Sequence, residues 1–229
     1  GVSSASHAAL LGLAWGLGCF GIGVSWVYVS LSQFSGLAPA LSVSATILFC
    51  LYLALYPALA GALFARGRSA ESSSNWRDIL LFAGLWTLSE WLRGNLLTGF
   101  PWLSVGYSQS PPSSLAGYAS VVGVYGVSTT VALTGALAAI GWRSVRHIAL
   151  ILIIVAIGAV LARMDWTTPY GKPLSVNLLQ GNVPQDIKWS PQQIAFSVQT
   201  YVSLATQETD QRAAALTVLP ETALPLFLN

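Results

Sequence analysis

The chain has 229 residues, of which 54% are hydrophobic and 8% charged, with a mean hydropathy of +0.65. Soluble domains carry about 25% charged residues, so a water-facing surface cannot be built around this chain. Its low polarity excludes disorder, and a net charge of +2 without a basic cluster gives nucleic acid nothing to hold. A membrane protein is the class that remains.

Charge is also unevenly placed. Apart from His7, no titratable side chain other than cysteine and tyrosine precedes Arg66. A bilayer core needs ~20 helical residues, and five segments read as spans: 8–29, 40–64, 77–97, 117–141 and 145–163. In the last of these, Arg146 and His147 are expected to snorkel toward the surface. The loops 65–77 and 142–146 carry Arg66, Arg68, Arg77, Arg143 and Arg146, whereas the alternate loops 30–39 and 98–116 carry no lysine or arginine. This bias places the amino end in the cytoplasm and everything after residue 163 outside.

The first span contains Gly16-Leu-Gly-Cys-Phe-Gly21, which matches a dinucleotide-binding G-x-G-x-x-G. No strand precedes it, so close helix packing by these glycines, with Gly12 and Gly23, is the favoured reading. Cys19 and Cys50 both sit in apolar stretches, where a free thiol behaves as a small hydrophobe. With His7 and His147 the only imidazoles, no metal-ligand spacing exists and no cofactor is implied.

Glu90 and Arg93 are a charged pair inside the third span, three residues apart on one helix face. Two readings stay open: a structural ion pair, or an Arg93 that helps hold an anionic lipid headgroup. The loop that follows opens with Thr98-Gly-Phe-Pro-Trp102-Leu and continues through Gly106-Tyr-Ser-Gln109. Gly99 and Pro101 set a turn, and Trp102 and Tyr107 suit either an interfacial aromatic belt or a substrate-handling loop.

Composition changes from Lys172. Leu174, Val176 and Leu178 alternate with Ser175 and Asn177, a strand pattern, and a turn follows at Gly181–Pro184. Ser190 and Gln193 form a capping box around Pro191 for a helix that carries Ile194, Val198, Tyr201 and Val202 on one face and runs to about Asp210. Ala215–Leu219 is a second strand, stopped by Pro220. Strand, helix, strand is a βαβ unit with parallel strands. Residues 172–229 are too few to complete such a domain. Together with a first residue, Gly1, that leads almost directly into an apolar segment, this points to a fragment of a longer protein. Gln180-Gly-Asn-Val-Pro184 and Glu221 follow the carboxyl ends of the two strands, where sites form in parallel sheets. Glu221 is then either a general base or a solvated loop residue.

Taken together, several motifs resemble the apolipoprotein N-acyltransferases of Gram-negative inner membranes. They are Trp86-Thr-Leu-Ser-Glu90-Trp-Leu-Arg93-Gly94, Leu97-Thr-Gly-Phe-Pro-Trp102-Leu, Gly106-Tyr-Ser-Gln109, Leu179-Gln-Gly-Asn-Val-Pro-Gln185, Ile187-Lys-Trp189 and Pro220-Glu-Thr-Ala-Leu-Pro225. The segment Gly21–Ser30 resembles an early span of that family.

The resemblance implies a polytopic α-helical membrane bundle, with five spans in residues 1–165. It also implies that residues 172–229 are the start of a nitrilase-like α/β (α-β-β-α) domain facing the periplasm. It implies a cysteine that takes an acyl chain from a phospholipid donor as a thioester and passes it to the α-amine of a diacylglyceryl-cysteine on an apolipoprotein. Glu221 matches the family's general base. Trp189, Trp102, Arg93 and Gly99 fall on the substrate side. The family's Lys and nucleophilic Cys have no match: Lys172 and Lys188 precede Glu221, and Cys19 and Cys50 are membrane residues. Leu219 stands where many relatives carry Trp. The fragment alone is therefore expected to be inactive. A membrane-tethered amidase and a non-enzymatic transporter bundle are the alternatives.

Overall fold

The computed structural model describes residues 4–69, 76–110, 113–183, 191–206, 214–221 and 223. They fall into two compact units, Gly1–Trp166 and Thr167–Asn229.

The first unit is helical. Helix α1, Ala5–Gly23, starts at Ser4, whose hydroxyl oxygen accepts the His7 N–H at 3.2 Å. Where a continuous span over 8–29 is expected, α1 stops at Val24. A short helix α2, Trp26–Val29, follows and leads into a π-helical turn at Ser30–Phe34. Glycines 21 and 23 weaken the helix here, and the Ser25 hydroxyl donates back to the Ile22 carbonyl at 2.9 Å. The chain then runs through α3 (Pro39–Gly67), α4 (Trp76–Asn95), a 3₁₀ turn at Ser114–Tyr118 that leads into α5 (Ala119–Gly141), and α6 (Val145–Leu161). Gly123 interrupts α5 with a positive φ of 64°.

Among the described residues, three helical stretches are long and apolar enough to cross a membrane: Ala5–Gly23, Pro39–Gly67 and Ser114–Gly141. The other two expected spans are also helical. However, α6 has 17 residues, and α4 carries Arg77, Asp78, Glu90 and Arg93 within its 20. Large aliphatic side chains such as Leu10, Ile47, Leu48 and Leu55 stand exposed around these helices, as on a surface that meets lipid.

α1 and α3 pack backbone to backbone along a seam of small residues. A Cβ on Gly16 would lie 2.8 Å from the Ala54 Cα, one on Gly12 would lie 2.7 Å from the Pro57 carbonyl carbon, and one on Gly61 would meet the Ala8 carbonyl oxygen. This is helix packing rather than a phosphate-binding loop. Gly18 and Gly21, by contrast, face open space. Phe20, Val24, Cys50, Leu53 and Ala54 form the core beneath the seam, and a second core joins Ile79 to Ala136 and Leu137. Both cysteines are free thiols. His147 does not snorkel. It is buried against Trp76, with ring centroids 5.7 Å apart, because Gly141 leaves room for the imidazole where a side chain would collide with it.

In the second unit, β1 (Val176–Leu178) and β2 (Leu216–Val218) pair in parallel, with Val176 opposite Leu216 and Leu178 opposite Val218. Helix α7, Pro191–Thr206, connects them. Its buried face carries Ser197 and Tyr201, flanked by half-buried Ile194 and Val198. Val202, expected on that face, is 53% exposed because it lies about 100° around the helix from Tyr201 and about 140° from Ser197. The capping box falls on Ser190, which lies outside the described residues, as does the stretch after Thr206 toward Asp210.

Candidate functional site: a clamped membrane loop and a strand-end carboxylate

Arg93 lies in the last turn of α4 and is only 3% exposed; Glu90, one turn earlier, is 4% exposed. Among the described residues they form no ion pair. Each is instead satisfied by neutral groups of the following loop and the neighbouring helix.

Arg93 Nη1 donates to the Phe100 carbonyl at 2.8 Å and also to the Trp102 carbonyl, and Nη2 donates to Ser104 Oγ at 3.2 Å. The guanidinium stands 5.1 Å over the Phe20 ring of α1. Glu90 Oε1 accepts the Trp86 indole N–H at 3.1 Å and the Val105 backbone N–H at 2.8 Å. Its Oε2 accepts the Ser128 hydroxyl of α5 at 2.6 Å, and Ser128 Oγ in turn accepts the Gly106 N–H at 3.0 Å. Two buried charges thus hold one loop from both ends. Charged hydrogen bonds are the strong ones, and a buried charge needs such a complete set.

The loop is bent in a way that needs holding. Leu97, Thr98 and Gly99 are consecutive left-handed residues with φ of 50°, 74° and 74°, and Leu103 is left-handed at 59°. A non-glycine residue there costs about 1–2 kcal/mol. At Gly99 any side chain would collide with the Gly94 carbonyl, so glycine is required twice over. The turn leads Phe100 onto Phe49, edge to face at 4.9 Å, and stacks Trp102 on Phe100 at 5.0 Å; Trp102 also lies 6.3 Å from Trp26. Trp102 and Tyr107 remain half exposed, at 53% and 52%.

A groove of about 720 Å³ opens here, lined by Trp15, Cys19, Trp102, Leu103, Val105 and Tyr107. Trp15 and Val105 also line a second, apolar groove of about 590 Å³ that runs past Phe82 and Trp86.

Arg93, Gly99 and Trp102 are therefore brought together. Trp189 lies outside the described residues. Glu221 belongs to the second unit, where it is exposed in the turn closed by the Ala223 N–H donating to the Pro220 carbonyl at 3.1 Å. It follows β2 by three residues, and Gly181, packed against the Tyr201 ring, follows β1 by three, so both stand at the carboxyl edge of the parallel pair. Phe20, Ser104 and Ser128 were not legible as members of the loop assembly. A serine in an apolar span is a hint of buried polarity, but nothing in a spacing of 38 residues links Ser128 to Glu90.

These features define a helical membrane protein with a polar-anchored loop and a small α/β unit. The chain matches the family described as the apolipoprotein N-acyltransferase N-terminal domain over residues 2–137, and it belongs to that family. Proteins named apolipoprotein N-acyltransferase are similar over nearly all of it. The one from Nitrosomonas europaea is 47% identical over 225 residues (96% of this chain, 44% of the relative). That from Methylococcus capsulatus is 44% identical over 230 residues (98% and 44%), and that from Coxiella burnetii 36% over 225 (94% and 45%). The chain spans less than half the length of these relatives.

Proposed function

We propose that this chain is part of an N-acyltransferase that moves an acyl chain from a phospholipid to the amino-terminal diacylglyceryl-cysteine of an apolipoprotein. The observation that carries the reading is the 36–47% identity to proteins named apolipoprotein N-acyltransferase over 94–98% of this chain.

In this reading all five apolar helices span the inner membrane, with the amino end in the cytoplasm. The second unit is then the start of a nitrilase-like domain on the periplasmic side. Five arginines in alternate loops against none in the others support that orientation. Glu221 is the general base. It takes the proton of a thiol supplied, with a lysine, by positions that this chain does not match. The thiolate attacks the phospholipid ester carbon, a C–S bond forms, and the ester C–O bond breaks. The lysophospholipid leaves as an alcohol, protonated by the Glu221 carboxylic acid. In the second half the α-amine attacks the thioester, a C–N bond forms, and the thiolate departs as Glu221 accepts the amine proton. The lysine steadies the oxyanion in both halves. This reading gives substrate handling to Trp102, on the turn set by Gly99, and to Trp189.

The test is to reconstitute the complete protein carrying this chain in phospholipid vesicles with a diacylglyceryl-cysteine peptide and read peptide mass. A gain of one acyl group, matched by lysophospholipid release, supports the reading. Amide hydrolysis without acyl gain would replace it with an amidase.

A further inference from the structure

We infer that Arg93 and Glu90 are positioning residues: two arms of a clamp that hold residues 97–105 as a fixed ledge along the groove between Trp15, Cys19, Trp102 and Tyr107. This deepens the acyltransferase reading and rests on it for one step only, namely that the ledge handles the lipid donor.

Three observations converge. First, the donors of Arg93 are directed at the carbonyls of Phe100 and Trp102 and at Ser104, and the side chain is 97% buried, so its charge is used inside the protein. Second, both ends of the ledge are fixed independently. Glu90 and Ser128 take the N–H groups of Val105 and Gly106, while the Phe100 N–H donates to the Arg93 carbonyl. Third, the held segment contains left-handed Leu97, Thr98 and Leu103, a conformation that persists only where surrounding contacts over-determine it. The outcome is that Trp102 and Tyr107 stay half exposed, while their backbone neighbours are locked. Leu103 is wedged against Gly23 of α1, where a Cβ would collide with its Cδ1.

A direct headgroup role for Arg93 makes a different demand. A lysine would keep the charge a phosphate needs, but it lacks the planar fork that spans two carbonyls and a hydroxyl.

The experiment uses the complete protein carrying this chain, in vesicles. It compares the parent with Arg93→Lys and Ser104→Ala, measuring maleimide labelling of Cys19 and Cys50 by peptide mass together with donor KM and kcat for thioester formation. Cys19 lines the groove, whereas Cys50 is buried, with its thiol donating to the Phe20 carbonyl at 3.6 Å, so it reports general unfolding. Losing the fork is expected to speed Cys19 labelling by ~10-fold or more, with Cys50 unchanged. Donor KM is expected to rise ~10-fold, with kcat within about 3-fold.

Unchanged Cys19 labelling in Arg93→Lys overturns the clamp, whatever KM does. A fall in kcat without a rise in KM overturns the assignment of the ledge to the donor. If both cysteines accelerate in Arg93→Lys, Ser104→Ala decides, since it removes one arm: a rise of about 3-fold at Cys19 alone sustains the clamp and no rise overturns it. A parent protein without acyl transfer would sink the acyltransferase reading but leave the labelling test of the clamp intact.

Discussion

Arg93 and Phe100 bond to each other twice. The Arg93 guanidinium donates to the Phe100 carbonyl at 2.8 Å, and the Phe100 N–H donates to the Arg93 carbonyl at 2.8 Å. The reciprocal pair joins the end of α4 to the loop beyond it and makes a side chain of the last helical turn also the one that shapes the loop.

Glu90 accepts three hydrogen bonds beside the buried Arg93, and its charge strengthens them. Glu90→Gln keeps an oxygen for the Trp86 indole and the Val105 N–H but loses the charge and the acceptor of the Ser128 hydroxyl, and should cost about 1–3 kcal/mol. Glu90→Leu strands buried donors at about 1–3 kcal/mol each and should lower the thermal midpoint clearly. Thermal unfolding in detergent, followed by tryptophan fluorescence, measures both. A Gln variant as unstable as the Leu variant would show that the contacts a side-chain amide can keep contribute nothing.

At Gly99 the backbone is left-handed and the Gly94 carbonyl fills the place of a Cβ. Gly99→Ala should destabilise the protein by roughly 1–3 kcal/mol in the same unfolding assay. An unchanged midpoint would mean that the turn relaxes freely.

The two glycine environments of α1 give a paired test. Gly12→Ala places a methyl against the Pro57 carbonyl and should destabilise by about 1–3 kcal/mol through forced separation of α1 and α3. Gly18→Ala meets nothing and should be neutral, or stabilise by up to about 1 kcal/mol through helix propensity. Equal losses at both positions would contradict the close packing of α1 on α3 at Gly12.

Orientation can be read with alkaline phosphatase fusions, which are active only outside the cytoplasm. Fusions after Gly36 and Trp166 should be active and a fusion after Arg143 inactive, following the arginine bias of the loops. The reverse pattern would move Glu221 to the wrong side for its proposed role.

Hydropathy located the long helices of the first unit, because a helix that meets lipid leaves a long uninterrupted apolar record, as in Pro39–Gly67. Alternation at Leu174–Leu178 and the stop at Pro220 gave the strands, and their parallel pairing followed from the intervening helix. The partners of Arg93 were not legible. Two of them are backbone carbonyls, which any residue supplies, and the turn that delivers them uses left-handed Leu97 and Thr98, residues that ordinarily avoid that region. For the same reason the sequence left Glu90 and Arg93 as either an ion pair or a headgroup site, since i, i+3 spacing is visible in a sequence and a returning loop is not. The break of α1 at Val24 was masked by apolar residues on both sides of it.

The most direct measurement is thioester formation from labelled phospholipid by the complete protein carrying this chain, comparing the parent with Glu221→Gln. If Glu221 is the base that frees the thiol, the parent accumulates a labelled, hydroxylamine-sensitive adduct and the variant loses it by about 100-fold or more. Adduct formation by Glu221→Gln at the parent's rate would contradict the assignment.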